Sequence, residues 1–178
     1  MKTGIICYSH THNNLILAGE ILARTGGTLL PIEELKKRTR ATIFLDLFFH
    51  RVPGIKEYLH LDNRFDHYIL ISPVWGGKIA SPLRAFLLKE GSKIKSYSFI
   101  SLCGGGERQV EGLKKELTRL LNRGPVAITQ LSLSDLCKQH PADVVNYRIK
   151  KEDLQFFQEA IDNFVGMITR ESATAVTA

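Results

Sequence analysis

The sequence predicts an α/β protein: a three-layer, doubly wound fold in which a five-stranded parallel sheet of order 2-1-3-4-5 carries helices on both faces. Short apolar runs alternate with segments of helical period along the chain, which is the pattern of a parallel sheet with crossover helices. No Pro/Gly/Ser-rich linker divides the 178 residues, a length that suits one domain and can bury a core without disulfides or metals. Five runs have strand character, and five parallel strands suit the doubly wound order.

Strand one is Gly4 to Tyr8. Helix one starts near Asn13 and runs to about Arg24, with Leu15, Leu17, Ala18, Ile21 and Leu22 as its apolar positions and Gly26-Gly27 as its stop. Strand two is Thr28 to Ile32. The stretch from Glu33 to Asp66 exceeds a simple crossover. In it Ile43, Phe44, Leu47 and Phe48 can face the sheet as helix two, which turns Leu45 and Phe49 elsewhere. The 43–49 segment thus admits a second core contact, burial under the loop Arg51 to Arg64, or a homo-oligomer surface. Strand three is His67 to Ser72. Ser81 as N-cap and Pro82 at the first helical position open helix three, which runs to about Lys89. Strand four is Ser96 to Leu102. Helix four carries Val110, Leu113, Leu117, Leu120 and Leu121 at a period near 3.6. Strand five is Val126 to Leu133, and helix five carries Leu154, Phe157, Ile161, Phe164, Val165 and Ile168. The domain is expected to span 1–170, with a small, polar, disordered tail over 171–178.

Composition excludes several classes. No apolar run is long enough to span a membrane. Met1-Lys2-Thr3-Gly4-Ile5 leads almost directly into a strand, without a signal peptide's long apolar region, so a cytoplasmic protein is expected. Cys7, Cys103 and Cys137 have neither zinc-site nor redox-pair spacing and are expected as free thiols. The formal net charge is +6. Basic residues are scattered apart from Lys36, Lys37, Arg38 and Arg40, and no recognition motif accompanies them, so nucleic acid is not an expected partner.

In an open sheet of this order the switch point lies between strands one and three, and ligands sit at the carboxyl ends of the strands there. Three loops are therefore candidates. Ser9, His10, Thr11, His12, Asn13 and Asn14 lie between strand one and helix one. Unpaired N–H groups and the helix dipole favour an anion at such a place. The loop itself holds no lysine or arginine, and an ordinary polar turn with Asn13 as N-cap is the competing reading. Pro73, Val74, Trp75, Gly76 and Gly77 follow strand three. A flat aromatic beside two glycines suits a planar ligand, or else a tryptophan closing the top of the sheet. Cys103, Gly104, Gly105 and Gly106 follow strand four. They can lie flat against a ligand edge, form a flexible turn, or hold Cys103 as a thiol activated near a helix start.

Other motifs fail. The glycine run does not complete G-x-G-x-x-G because Gln109 takes the last position, and no G-x-x-x-x-G-K-[ST] loop exists. Cys103 and Arg108 are one residue too close for a C-x5-R loop. His10 and His12 have no nearby cysteine or carboxylate to complete a metal site.

Read together, the three loops resemble those of the flavodoxin family. Ser9-His10-Thr11-His12-Asn13-Asn14 matches a phosphate loop of the form S/T-x-T-G-N-T, Ser72 to Phe86 matches Ser-Pro-x-Trp/Tyr-x-Gly leading into an arginine-bearing helix, and Cys103 to Gly106 matches the glycine-rich third loop. The resemblance covers about Lys2 to Met167. It implies bound FMN, with residues 9–14 around the phosphate, 73–77 along the isoalloxazine and 103–106 at its other edge. His12 stands where the family has glycine and Asn14 where it has threonine, so a different backbone or a narrower anion site is expected at position 12. A protonated His10 or His12 would supply a compensating charge.

The third loop lacks an aromatic, which leaves one flavin face open to a hydride donor or a substrate ring. Lys78 and Arg108 lie near the expected flavin, and positive charge there favours the negatively charged reduced form and raises the potential. The expected function is FMN-dependent redox chemistry. It takes the form of electron transfer with a redox protein partner, or of NAD(P)H-dependent reduction of a small acceptor such as a quinone. A reductase without a second nucleotide unit has donor and acceptor alternating at one face, which predicts ping-pong kinetics. The alternatives are a module of this fold that has lost tight flavin binding and acts through a protein partner, and an anion- or nucleotide-binding protein without a redox role.

Overall fold

A computed structural model describes residues 1–35, 39, 42–43, 52–56, 61, 64–105, 109–138, 144 and 146–176, with side chains described as far as Glu171. The expected helix two, residues 44–49 of the expected oligomer segment, Gly106 and Arg108 lie outside these residues.

The strands are β1 (Thr3–Cys7), β2 (Thr28–Pro31), β3 (His67–Ile71), β4 (Val74–Trp75), β5 (Lys78–Ile79), β6 (Tyr97–Cys103) and β7 (Ile128–Ser132). The helices are α1 (Asn13–Thr25), α2 (Ser81–Glu90), α3 (Val110–Leu121), α4 (Leu133–Cys137) and α5 (Gln158–Val176). Five strands form one sheet of order β2-β1-β3-β6-β7, every pair parallel. With β4 and β5 set aside as a separate hairpin, this is the expected 2-1-3-4-5 order.

The sheet is covered on both sides, so β1, β3 and β6 are buried along their whole length. Alternate residues feed two cores. Ile5, Cys7, Ile69, Ile71, Ile100 and Leu102 pack with Leu17, Ala18 and Ile21 of α1 and with Ile161, Phe164 and Ile168 of α5. Ile6, Tyr68, Leu70, Tyr97 and Phe99 pack with Leu83, Phe86 and Leu87 of α2 and with Leu113, Leu117 and Leu121 of α3. The period of 2 in the strands and of 3.6 in the helices thus places each apolar set on a sheet face.

A titratable ring is enclosed in the sheet. His67 is buried, with Nδ1 2.8 Å from Ser96 Oγ and Nε2 3.0 Å from Ser98 Oγ. Burial holds its pKa down at about 4, because the protein interior disfavours the charged ring.

Several boundaries differ from expectation. Helix α2 begins at Ser81 with Ala80 as N-cap, which makes Ser81 the first helical residue instead of the cap. The expected fifth strand is shorter, because Ser132 caps α4 by accepting from the Asp135 N–H, and the chain turns helical at Leu133. Helix α5 runs on to Val176, past Glu171 where the sequence suggests a disordered tail.

Candidate functional site

The carboxyl ends of β1, β3 and β6 are neighbours in the sheet, so the three loops that follow them gather at one end. The first two touch. Tyr8 and Trp75 meet edge-to-face with ring centroids 5.8 Å apart, and His10 meets Trp75 at 6.1 Å. The first and third are tied through Asn14 and Leu102.

The first loop keeps the backbone that a glycine would give. His12 has φ 69°, in the left-handed region, and stands as N-cap of α1 without a side-chain capping bond. A histidine in that region is uncommon and strained. The expectation of a different backbone at position 12 is therefore corrected. The imidazole is carried on a glycine-like turn and is exposed. His12 rather than Asn13 is the N-cap, and its carbonyl accepts from Leu15 N and Ile16 N.

Asn13 and Asn14 are spent as clamps. Asn13 donates from Nδ2 to Tyr147 O at 2.9 Å and accepts at Oδ1 from Ile149 N at 3.2 Å. Asn14 donates to Leu102 O and accepts from Leu102 N, both at 2.9 Å. Both residues are buried. Their amides complete the main chain of other segments, so they present main-chain N–H groups, not side-chain donors, at the helix start. Ser9 differs: its Oγ is buried without a hydrogen-bond partner among the described residues. A buried hydroxyl without a partner is costly in a native protein and is satisfied when a ligand acceptor reaches it.

The second loop is a hairpin. Val74 pairs with Ile79 and Trp75 with Lys78, antiparallel, and Gly76 and Gly77 turn the chain with φ 56° and 76°. Both central residues have positive φ, as the tight two-residue type I′ turn requires, and glycine meets that without strain. Ala80 N donates to Pro73 O at 3.2 Å and closes the base. Trp75 is thus fixed as a half-buried wall beside the first loop.

The third loop packs inward. Cys103 Sγ donates to Gly105 O at 3.2 Å and receives Gln130 Nε2 at 3.4 Å. Burial pushes its pKa up, and α3 begins only at Val110, so the activated-thiol reading is corrected. Cys7 is buried as expected, and burial pushes its pKa up to about 12. A Cβ on Gly105 would meet only the end of the Gln109 side chain, 2.8 Å from Nε2, which can swing aside.

The segment 146–149 is a part of the site that sequence reasoning missed. Its main chain flanks Asn13 through Tyr147 O and Ile149 N, which brings Arg148 beside the start of α1. The guanidinium donates to Asn146 O at 3.0 Å and Tyr147 O at 3.3 Å and is exposed. A cation from a segment far along the chain thus stands near a loop that carries no lysine or arginine of its own. No group of three or more potential metal ligands exists among the described residues.

No protein-family model matches the chain, and no curated protein matches it in sequence. Solved structures do match. A flavoprotein from Lactobacillus acidophilus in complex with FMN superposes with TM-score 0.63 at 16% identity, over 72% of this chain and 92% of that one. The apo-form of the flavoprotein from the same organism gives TM-score 0.57 at 18% identity, over 77% and 95%. A chain from Bacteroides eggerthii described as a candidate flavoprotein gives TM-score 0.63 at 16% identity, over 90% and 98%. At such identities the likeness establishes a shared fold.

Proposed function

We propose that the chain binds FMN non-covalently at the carboxyl ends of β1, β3 and β6 and uses it in redox chemistry. The observation that carries this reading is the buried, unpartnered Ser9 Oγ at the switch point of the sheet, on a loop whose His10 ring meets the Trp75 wall. A phosphate acceptor satisfies such a hydroxyl, and a planar ring system suits the wall. The relative of this fold that is solved with FMN supports the choice of ligand.

In this reading FMN supplies the hydride or electron transfer, and the protein supplies binding and orientation. Ser9 and Thr11 donate to the phosphate together with the main-chain N–H groups that start α1. His12 and Arg148 stand at the same end and contribute positive charge when protonated or swung inward. The ring system lies along Pro73 to Gly77, with Trp75 held by its Tyr8 and His10 contacts. Tyr8 is itself held by its hydroxyl, which donates to Glu34 Oε2 at 2.9 Å. Gly104 and Gly105 border the opposite edge without a large side chain, which leaves room for a small acceptor such as a quinone or for a nicotinamide donor.

The test is titration of the purified chain with FMN, followed by absorbance and fluorescence, beside a Trp75→Ala variant. Saturable binding that weakens about tenfold or more in the variant supports the site, since an aromatic stacking partner contributes on the order of 1–3 kcal/mol. Rates with NADH, NADPH, quinones and a ferredoxin-type donor then separate a reductase from an electron carrier. No binding at high micromolar FMN sinks the redox reading and leaves a repurposed fold that acts through a protein partner.

A further inference from the structure

A cavity of about 590 Å³ opens between the Gly76–Gly77 turn, α2 and α3, lined by Gly76, Gly77, Lys78, Arg84, Gly112, Glu116 and Arg119. It shares Gly76 and Gly77 with the second loop, and none of the residues 9–14 lines it. Its volume is that of a small-molecule site. Gly112, Glu116 and Arg119 follow at spacings of four and three and so share one face of α3.

Charge in the cavity is unbalanced. The one carboxylate, Glu116, is buried and committed: Oε1 accepts from Arg84 Nη2 at 2.6 Å and Oε2 from Ile79 N at 3.0 Å. Glu116 neutralises Arg84, which still keeps a buried Nε–H without a partner. Lys78 on the hairpin and Arg119 on α3 have no carboxylate partner among the described residues, so two positive charges remain on separate walls. The cavity is also kept open. A Cβ on Gly77 or Gly112 would meet no atom within 4 Å, and glycine inside a helix is otherwise disfavoured.

We propose that this cavity is a second ligand site, for a small soluble molecule that carries two linked phosphoryl groups. Two unneutralised cations facing a shared space suit a diphosphate better than a single anion, because each phosphoryl group meets its own cation. The Arg84–Glu116 pair, locked to the main chain of β5, gives the site a rigid floor.

Inorganic pyrophosphate and ADP are titrated in parallel into the full chain by calorimetry, with and without saturating FMN. Single-site binding that persists in FMN is expected. Arg119→Gln should weaken it about tenfold or more, as loss of a charge-assisted contact does, while the FMN titration of that variant stays unchanged. Gly112→Phe, which fills the cavity, should abolish it with the circular dichroism spectrum retained. Equal binding of the two probes identifies the diphosphate as the group recognised, and tighter ADP identifies a nucleotide. The proposal is overturned by no binding at millimolar probe, by displacement of the probe by FMN, or by binding that Arg119→Gln and Gly112→Phe leave intact.

Discussion

Replacing Asn14 by alanine separates two roles for this residue. Its amide makes two buried hydrogen bonds of 2.9 Å to the main chain of Leu102. Alanine leaves the Leu102 N–H and C=O buried without partners, at about 1–3 kcal/mol each. The expected loss is about 2–6 kcal/mol, a large share of a typical domain stability of roughly 5–15 kcal/mol. Urea denaturation of the ligand-free protein reads it as a fall in midpoint at unchanged slope. Asn14→Asp keeps the acceptor for Leu102 N but sets a carboxylate oxygen against Leu102 O, so it should be no better than alanine. A change below about 0.5 kcal/mol in ligand-free protein refutes the clamp. If FMN affinity then falls sharply, Asn14 is a ligand donor after all.

Three further outcomes are expected. The pKa of His67 is held down at about 4 against an ordinary 6.5, so below pH 6.5 the unfolded chain takes up a proton that the native protein refuses. Stability contributed by the neutral ring is whole above pH 6.5 and declines to pH 4, by about 3 kcal/mol across the window. Urea midpoints of the parent and His67→Phe from pH 7 to 4.5 should show this extra slope in the parent only, and parallel profiles would count against it. Glu116→Ala strands Arg84 and the Ile79 N–H, and should cost about 3–5 kcal/mol as removal of one partner of a buried pair does, read by thermal or urea unfolding. His12→Gly relieves the left-handed backbone, by about 1 kcal/mol. A stabilised ligand-free protein is expected, and a destabilised one would mean that the ring holds the turn by contacts of its own.

The sheet order, the two faces and the three-loop end were legible because they rest on periodicity and alternation, which are local. The clamps were not, since Asn13 and Asn14 reach Tyr147, Ile149 and Leu102 far along the chain. Short polar residues at a helix start are read first as caps or ligand donors, and only the tertiary partner decides. Arg148 was invisible for the same reason. The hairpin had its signal in Gly76-Gly77 between Val-Trp and Lys-Ile, but two-residue strands are too short to show alternation. His12 in a left-handed turn runs against residue preference, so the sequence suggested a changed backbone where a glycine-like φ is found. At Cys103 a place just before a helix suggested an activated thiol, whereas the thiol folds back on Gly105 O.

The β4–β5 hairpin is a short ribbon closed by the Gly76-Gly77 turn. Trp75 is directly opposite Lys78 across it, so the ring that stands beside the first loop and the cation that lines the basic cavity share one piece of backbone. Their main chains cannot shift independently, although each side chain turns on its own bonds. An occupant that moves the ribbon's backbone toward α3 carries the tryptophan with it, whereas one that moves only the lysine side chain does not. By thermodynamic reciprocity, whatever factor one ligand imposes on the affinity of the other is returned in equal measure. Two sites joined in this way work as one balance, with the glycine turn as its pivot.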